Sequence, residues 1–367
     1  MNILLITQNY PPDIGAAAFR MKSLVDTLIE RNHKVIVLTG TPNRYGSLKS
    51  DVQTEETQET IIRIPTRKQS SNLLFRSLSF LDFFFKGYLR AKKLSKTADI
   101  IVATSPQLLV AYLGALVKSK QKPFILDIRD LWPDVMVEMG ITTKSRASFK
   151  VLKRIEKRCY KKADEIIINS PAFENHVAKY TDKKINLITN GIDDYLFKEL
   201  STFELKPFSS PFTITYAGNL GLAQQIDILA DVANEYNEKF IFQIIGDGSG
   251  KKKFTDKITE NNITNIKIIN PLPRAELIKY YKKTDAFFVH LKDIDMFKKT
   301  IPSKMFEYVA TGKPVVYGLK GVAHQIMNEL QGENYAFTPS DPLELKRSLD
   351  HLYNNLNANL KTNESGK

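Results

Sequence analysis

Ile301-Pro-Ser-Lys-Met-Phe-Glu-Tyr-Val-Ala-Thr-Gly-Lys-Pro-Val-Val316 sets a hydroxyl, a cation and a carboxylate just ahead of a short β-branched run. Ser303 and Lys304 are expected to open a helix, where unpaired backbone N–H groups and the macrodipole attract phosphate. Glu307, one turn on, can accept hydrogen bonds from ribose hydroxyls, so the three side chains together suit a nucleoside diphosphate. Thr311-Gly312-Lys313-Pro314 ends the helix, and Pro314 to Tyr317 starts a strand. A Ser-capped helix with an i,i+3 Lys–Glu pair accounts for the same residues. The surrounding chain has to decide.

Working backwards, short β-branched runs alternate with helix-like stretches. Ile3 to Thr7, Lys34 to Thr39, Ile61 to Pro65, Asp99 to Ala103, Pro123 to Asp127, Glu165 to Asn169 and Lys184 to Thr189 form one series. Phe212 to Ala217, Phe240 to Ile245, Asn265 to Ile269, Ala286 to Leu291 and Pro314 to Tyr317 form a second. Such alternation predicts parallel sheets covered by helices. Ala17 to Asn32, with Phe19, Met21, Leu24, Val25 and Leu28 at near-helical spacing, is the first crossover helix. The break between the series falls within Asp193 to Pro211, where Lys206-Pro-Phe-Ser-Ser-Pro211 has linker composition. Pro342 to Asn357 reads as a last helix.

Composition agrees with two domains. The 367 residues are 43% hydrophobic, enough for two cores. The single Cys159 allows no internal disulfide and lies in no Cys/His cluster, which points to a reducing compartment and no structural zinc. Met1-Asn2 leads straight into Ile3-Leu-Leu-Ile6, a strand pattern rather than a signal peptide. A formal charge of +13 calls for an anionic partner without naming one.

Two doubly wound domains place strand ends, the usual ligand sites of open α/β sheets, around a shared cleft. The glycine-bearing segments fall on loops after strands: Gln8 to Arg20 with Gly15, Tyr216-Ala-Gly-Asn-Leu-Gly221 with Gln224 and Gln225, and Gly246-Asp-Gly-Ser-Gly250. Each alone is an ordinary tight turn. The first lacks the G-x-G-x-x-G spacing, which argues against a nicotinamide or flavin dehydrogenase.

Tyr10-Pro-Pro-Asp-Ile-Gly15-Ala, Arg129-Asp-Leu-Trp-Pro133, Asn190-Gly-Ile-Asp193 with Phe197, Tyr216-Ala-Gly-Asn-Leu-Gly221, Ile245-Gly-Asp-Gly248 and Pro302-Ser-Lys-Met-Phe-Glu307 occur in one order along nearly the whole chain. In that order and spacing they resemble the family-four retaining glycosyltransferases of the GT-B fold, above all bacterial enzymes that assemble O-antigen, capsule or exopolysaccharide. The resemblance implies an α/β fold of two Rossmann-like doubly wound domains facing a central cleft. Residues 1–195 would bind the acceptor and 196–345 the nucleotide sugar, most often a UDP-sugar. A helix over 342–357 would pack back across the domains, and 358–367 would form a flexible tail.

Site roles follow from the same resemblance. Gly15 would bring its backbone to the distal phosphate, Ser303 and Lys304 would meet the diphosphate, and Glu307 would take the ribose hydroxyls. Gly218, Asn219 and Gly246 would line the donor cleft, and Leu272 would face the base. Two positions depart from the family pattern. Lys299 stands where many members carry a glutamate that contacts the sugar, so the donor sugar is not transferable. Asn219 with Gln224 or Gln225 stands where many have Arg and Lys beside the diphosphate, which leaves Lys304 as the first choice to neutralise the leaving group, ahead of Lys292, Lys298 and Lys299. No Asp-x-Asp pair marks a strand end in a donor context, so metal-independent chemistry without a cofactor is expected, with electrostatics at the departing diphosphate dominant.

On the acceptor side, Asp127-Ile-Arg-Asp-Leu-Trp-Pro133 puts carboxylates and a guanidinium at a strand end. Asp130 is the expected acceptor-side catalytic residue and Arg129 its partner, against a structural Arg–Asp pair. Asn72 to Lys93 joins bulky apolar residues to cations, and its uninterrupted apolar run is far too short to span a bilayer. With Lys150 to Lys162 it suits a peripheral helix on an anionic membrane surface at the inner face of the cytoplasmic membrane, which would suit a polyprenyl-diphosphate-linked acceptor, a glycan being the alternative, although a core helix with basic flanks fits Phe83-Phe84-Phe85 as well. A non-hydrolysing nucleotide-sugar epimerase is the enzymatic alternative. A nucleic-acid-binding protein is the other, although no reader motif or aromatic-interleaved basic face is present.

Overall fold

A computed structural model describes residues 1–13, 15–42, 59–67, 73–202 and 210–365. The chain divides into two units, Met1–Asn190 and Gly191–Lys367. This division precedes the sequence-based boundary at 195/196 because the helix Asp194–Ser201 belongs to the second unit. Its Leu196 and Leu200 are buried in one core with Met305 and Tyr308, and Asp193 caps it while ion-pairing with Arg274. Most of the expected linker at 206–211 lies outside the described residues.

In the first unit, β1 (Asn2–Ile6), β2 (Lys34–Gly40), β3 (Thr60–Ile64), β4 (Ile100–Ser105), β5 (Phe124–Ile128), β6 (Glu165–Ile168) and β7 (Lys184–Leu187) pair in the order β3-β2-β1-β4-β5-β6-β7, all parallel. Chain order reverses between β1 and β4, so the loop after β1, which carries Gly15, borders a topological switch point. The central strands are apolar on both faces, as a sheet covered on both sides demands.

In the second unit, β8 (Phe212–Asn219), β9 (Phe240–Asp247), β10 (Ile266–Ile269), β11 (Ala286–His290), β12 (Val315–Gly318) and β13 (Asn334–Ala336) pair as β10-β9-β8-β11-β12-β13, again all parallel. Here the switch point lies between β8 and β11. β13 is absent from the sequence reading because Asn334-Tyr-Ala336 has no β-branched run to mark it. The β8-to-β9 crossover consists of two 3-10 turns, Ile226–Asp231 and Ala233–Tyr236, in place of the expected α-helix.

The last helix runs Pro342–Ser365, through much of the segment expected to be a flexible tail, because no Gly or Pro interrupts it before Gly366. Leu345, Leu349, Leu352 and Leu356 line one helical stripe and are fully buried beside Phe212, Phe240 and Val316 of the second unit's own core. Each such leucine contributes roughly 1.5–3 kcal/mol of burial.

Gly246 fixes how closely β8 and β9 run. A Cβ there would lie 1.9 Å from the Gly218 carbonyl oxygen, and its φ of 153° disfavours any other residue. Gly246→Ala should therefore lower unfolding free energy by at least about 3 kcal/mol, from overpacking plus backbone strain. Gly312→Ala, at φ 70° with open space where a Cβ would stand, should cost only about 1 kcal/mol. Equal losses in urea unfolding would contradict the close approach.

Candidate active site

The segment from Ser303 folds as a short helix, Lys304–Val309, preceded by Ser303 itself at φ −62° and ψ −25°. The Ser303 hydroxyl makes no capping bond, so the expected Ser cap is not formed and the hydroxyl is left for other partners. Met305 and Tyr308 face inward. Gly312, at φ 70°, turns the chain out of the helix into β12, in agreement with the sequence. Lys313 then turns inward, its ammonium donating to the carbonyls of Tyr281 (2.9 Å) and Lys282 (3.0 Å) at the end of the helix Arg274–Lys283.

Tyr308 ties this helix to the sheet. The register of β8 with β11 covers only Ile214 and Thr215, after which the strands part. Beyond that point the Tyr308 hydroxyl accepts from the Ala217 N–H (2.9 Å) and donates to its carbonyl (3.2 Å). It thereby satisfies both backbone groups where the ladder with β11 has ended. Its ring stacks on Phe287 at 4.4 Å and meets Tyr281 edge-on at 5.8 Å. Burial raises the Tyr308 pKa well above the ordinary phenol value, so the hydroxyl stays protonated.

The helix therefore lies against the mouth of the switch point. The Lys304 ammonium is 3.0 Å from Glu307 Oε2, so the cation and carboxylate of the motif pair with each other. Tyr281 also donates to Glu307 Oε2, at 3.4 Å, while Oε1 has no partner among the described residues. The Lys304 stem reaches Gly218, its Cε 3.7 Å from where a Cβ would stand. Asn219 ends β8, its Nδ2 donating to Gln224 Oε1 at 3.0 Å and its carbonyl accepting from Tyr216 at 2.8 Å. Leu220 N–H bonds Asp247 O (2.9 Å), and Gly250 N–H bonds Leu220 O (2.7 Å). The glycines from Gly246 to Gly250 thus serve close backbone packing of two loops.

Gly218, Asn219, Lys304 and Glu307 are brought together with Gly246, whereas Leu272 follows β10 and packs, partly buried, against the core that holds Met305 and Tyr308. Gly15 belongs to the first unit, as N-cap of the helix Ala16–Glu30. Lys298 pairs with Asp295, while Lys299 ends a 3-10 turn and forms no ion pair with another described residue.

At the end of β5 the buried carboxylate is Asp127. Arg20 Nη2 reaches its Oδ1 at 3.1 Å and the Thr104 hydroxyl its Oδ2 at 2.8 Å. Arg20 also donates to the carbonyls of Ile188 (2.9 Å) and Thr189 (3.0 Å), so Asp127 anchors the helix behind Gly15. Nothing in the sequence around Arg20 signals this role. Arg129 is buried just beyond, its amide bonded to Ser105 O at 3.1 Å, and Asp130 follows, half-buried.

Among the described residues one acidic and histidine group converges: Asp134, Glu156 and His176. Its centre holds the Lys153 ammonium, 2.5 Å from Asp134 and 2.6 Å from Glu156. Burial opposes that charge, but the two carboxylates prevail and raise the Lys153 pKa.

The helix Leu73–Leu94 buries Ser79, Phe83, Gly87 and Ala91, and Phe84 stacks on Tyr112. Leu78, Leu81, Phe85 and Leu89 form an exposed stripe, with Phe85 67% and Leu89 72% accessible. The Phe83-Phe84-Phe85 run is thus divided between core and surface. On the helix Ala147–Lys162, Arg154, Lys157, Arg158, Lys161 and Lys162 line a surface basin of about 440 Å³. No described helix is long and apolar enough to cross a membrane.

Comparison with known proteins assigns the family. Residues 17–195 match the family described as Glycosyltransferase Family 4, and residues 197–367 match Glycosyl transferases group 1. The chain is a family-four glycosyltransferase of the GT-B fold. This glycosyltransferase is 24% identical over 302 residues to "Probable glycosyltransferase WbjE" of Pseudomonas aeruginosa, covering 78% of this chain and 74% of that one. It overlays on WaaG, a glycosyltransferase involved in lipopolysaccharide biosynthesis, with a TM-score of 0.68 at 13% identity, over 98% of this chain and 92% of that one. For Anabaena HepE in complex with UDP-glucose the TM-score is 0.64 at 17% identity, over 99% and 91%. These matches set the glycosyltransferase apart from the epimerase and nucleic-acid-binding alternatives.

Removing the Tyr308 hydroxyl leaves two buried backbone groups of Ala217 unsatisfied. Tyr308→Phe should cost about 1–3 kcal/mol in denaturant unfolding. An unchanged midpoint would show that the bond to β8 contributes nothing.

Proposed function

We propose that this glycosyltransferase moves a sugar from a nucleotide sugar, a UDP-sugar, to a polyprenyl-diphosphate-linked or glycan acceptor in bacterial surface polysaccharide synthesis. One observation carries the reading. Lys304, which follows Ser303 and pairs with Glu307, reaches Gly218 at the end of β8, at the switch point of the second sheet, where open α/β sheets bind ligands. Ser303 has a hydroxyl uncommitted to capping, and Glu307 keeps Oε1 for a ribose hydroxyl. The UDP-glucose complex of HepE, a protein of the same fold, supports the choice of donor. The involvement of WaaG in lipopolysaccharide biosynthesis supports the choice of pathway.

The chemistry is retaining. The bond from the anomeric carbon to the diphosphate oxygen breaks through an oxocarbenium-like state, and the acceptor oxygen bonds on the same face. Charge on the departing diphosphate is met by Lys304, released from Glu307, and by the amides of Asn219 and Gln224. Asp130 orients or deprotonates the acceptor hydroxyl, with Arg129 as its partner. No metal is needed in this scheme. Release of UDP that depends on a lipid-linked acceptor should survive EDTA and fall by at least about tenfold in Asp130→Asn with the fold intact. Complete loss on chelation with rescue by a divalent ion contradicts the metal-independent scheme, and near-normal turnover of Asp130→Asn contradicts that residue's role.

The protein works at the inner face of the cytoplasmic membrane, held peripherally. The stripe Leu78, Leu81, Phe85 and Leu89 suits insertion at the headgroup boundary, and the basic basin on the helix Ala147–Lys162 suits anionic lipid. The protein should float with phosphatidylglycerol-containing liposomes at low salt and leave them as salt rises, and Phe85→Ser/Leu89→Ser should bind less. Failure to float at any salt contradicts the attachment.

A further inference from the structure

We propose that His290 is a positioning residue for nucleotide-sugar binding: it clamps the loop Leu220–Gln225 to the turn at Ser340 and so fixes the amide groups of Asn219 and Gln224 at the switch point. The inference rests on the donor reading above. His290 is the last residue of β11 and 1% accessible. Its Nδ1 lies 2.9 Å from Gln224 O, and its Nε2 accepts from the Ser340 backbone N–H at 3.0 Å. A carbonyl can only accept and an amide N–H can only donate, so the ring carries its proton on Nδ1 and is neutral. Burial, which pushes its pKa down to about 4, acts in the same direction. The ring stacks on Phe337 at 5.5 Å with planes 10° apart.

The two segments that the imidazole joins are both backbone exceptions. Gln225 (φ 43°, ψ 48°) and Ser340 (φ 64°) occupy the left-handed region that non-glycine residues adopt only when their surroundings hold them there. They are bonded to each other, Ser340 Oγ to Gln225 Oε1 at 2.7 Å. Just beyond β11, Lys292 N–H donates to Ala223 O at 2.9 Å and adds a second stitch to the same loop. The product is local and polar. Gln224 Oε1 accepts from Asn219 Nδ2, which leaves the half-buried Gln224 Nε2 without a partner among the described residues. Neutral donors stand here at a position where the sequence offers no Arg or Lys, and a neutral donor acts on a ligand only if its direction is held.

The test measures UDP binding by calorimetry, with ADP and GDP beside it, and amide hydrogen exchange on the full chain. His290→Phe keeps the stack on Phe337 and loses both hydrogen bonds. It should weaken UDP binding at least tenfold and speed exchange at Ser340 and across 220–225, while β8 and β9 stay protected. His290→Gln, whose amide can donate to the Gln224 carbonyl or accept from the Ser340 N–H, should keep more affinity and slower exchange than His290→Phe, a difference that a merely space-filling histidine would not produce. Should His290→Phe not fold, His290→Leu takes its place in that comparison. Equal UDP affinity with and without the imidazole, or no advantage of His290→Gln over His290→Phe, overturns the assignment. Absence of nucleotide binding by the unsubstituted protein contradicts the donor reading itself, a result distinct from either.

Discussion

The parting of β8 from β11 is what the second unit's site is built around. Two parallel strands that diverge leave backbone groups without partners, and a buried unpaired amide is costly. Tyr308 resolves this by placing one hydroxyl against both polar groups of Ala217. Because Tyr308 belongs to the same short helix as Lys304 and Glu307, the repair of the ladder also sets those side chains beside Gly218. Aromatic packing on Phe287 and Tyr281 keeps the helix there.

The opening between the strands is then lined by close backbone contacts rather than by many charges. Gly246 lets the β9 loop touch Gly218, and hydrogen bonds through Leu220 fasten the two loops. Charge enters sparingly: Lys304 is neutralised by Glu307, and the adjacent groups are amides. In the proposed role, a diphosphate entering such a site would exchange the carboxylate partner of Lys304 for another anion, which limits the desolvation cost of binding. The net basic character of the chain is concentrated elsewhere, notably on the helix Ala147–Lys162.

Much of this is legible in the sequence, for physical reasons that differ by element. The strands of both sheets announce themselves as β-branched runs because parallel strands are buried on both faces; Asn334-Tyr-Ala336, at the edge, lacks that signature. Ser303, Lys304 and Glu307 are readable because they are neighbours in the chain. Tyr308, His290 and Ser340 are not, since their importance arises from where strands part and from turns far apart in sequence. At β5 the fold holds Asp127 through Arg20, a partner 107 positions away that no local pattern could supply. The aromatic run Phe83-Phe84-Phe85 is undecidable by composition because it faces both ways.

If the switch point of the second unit holds the diphosphate and ribose of a nucleotide sugar, that ligand must stabilise the fold. A ligand that binds only the folded state, at a hundred times its Kd, stabilises it by about 2.7 kcal/mol. Thermal unfolding of the full chain against a panel of nucleotide sugars reads this out without an acceptor. A rise in Tm selective for one UDP-sugar, and largely lost in Glu307→Ala, is the expected result. A panel without any shift, or a shift that Glu307→Ala leaves intact, would contradict it.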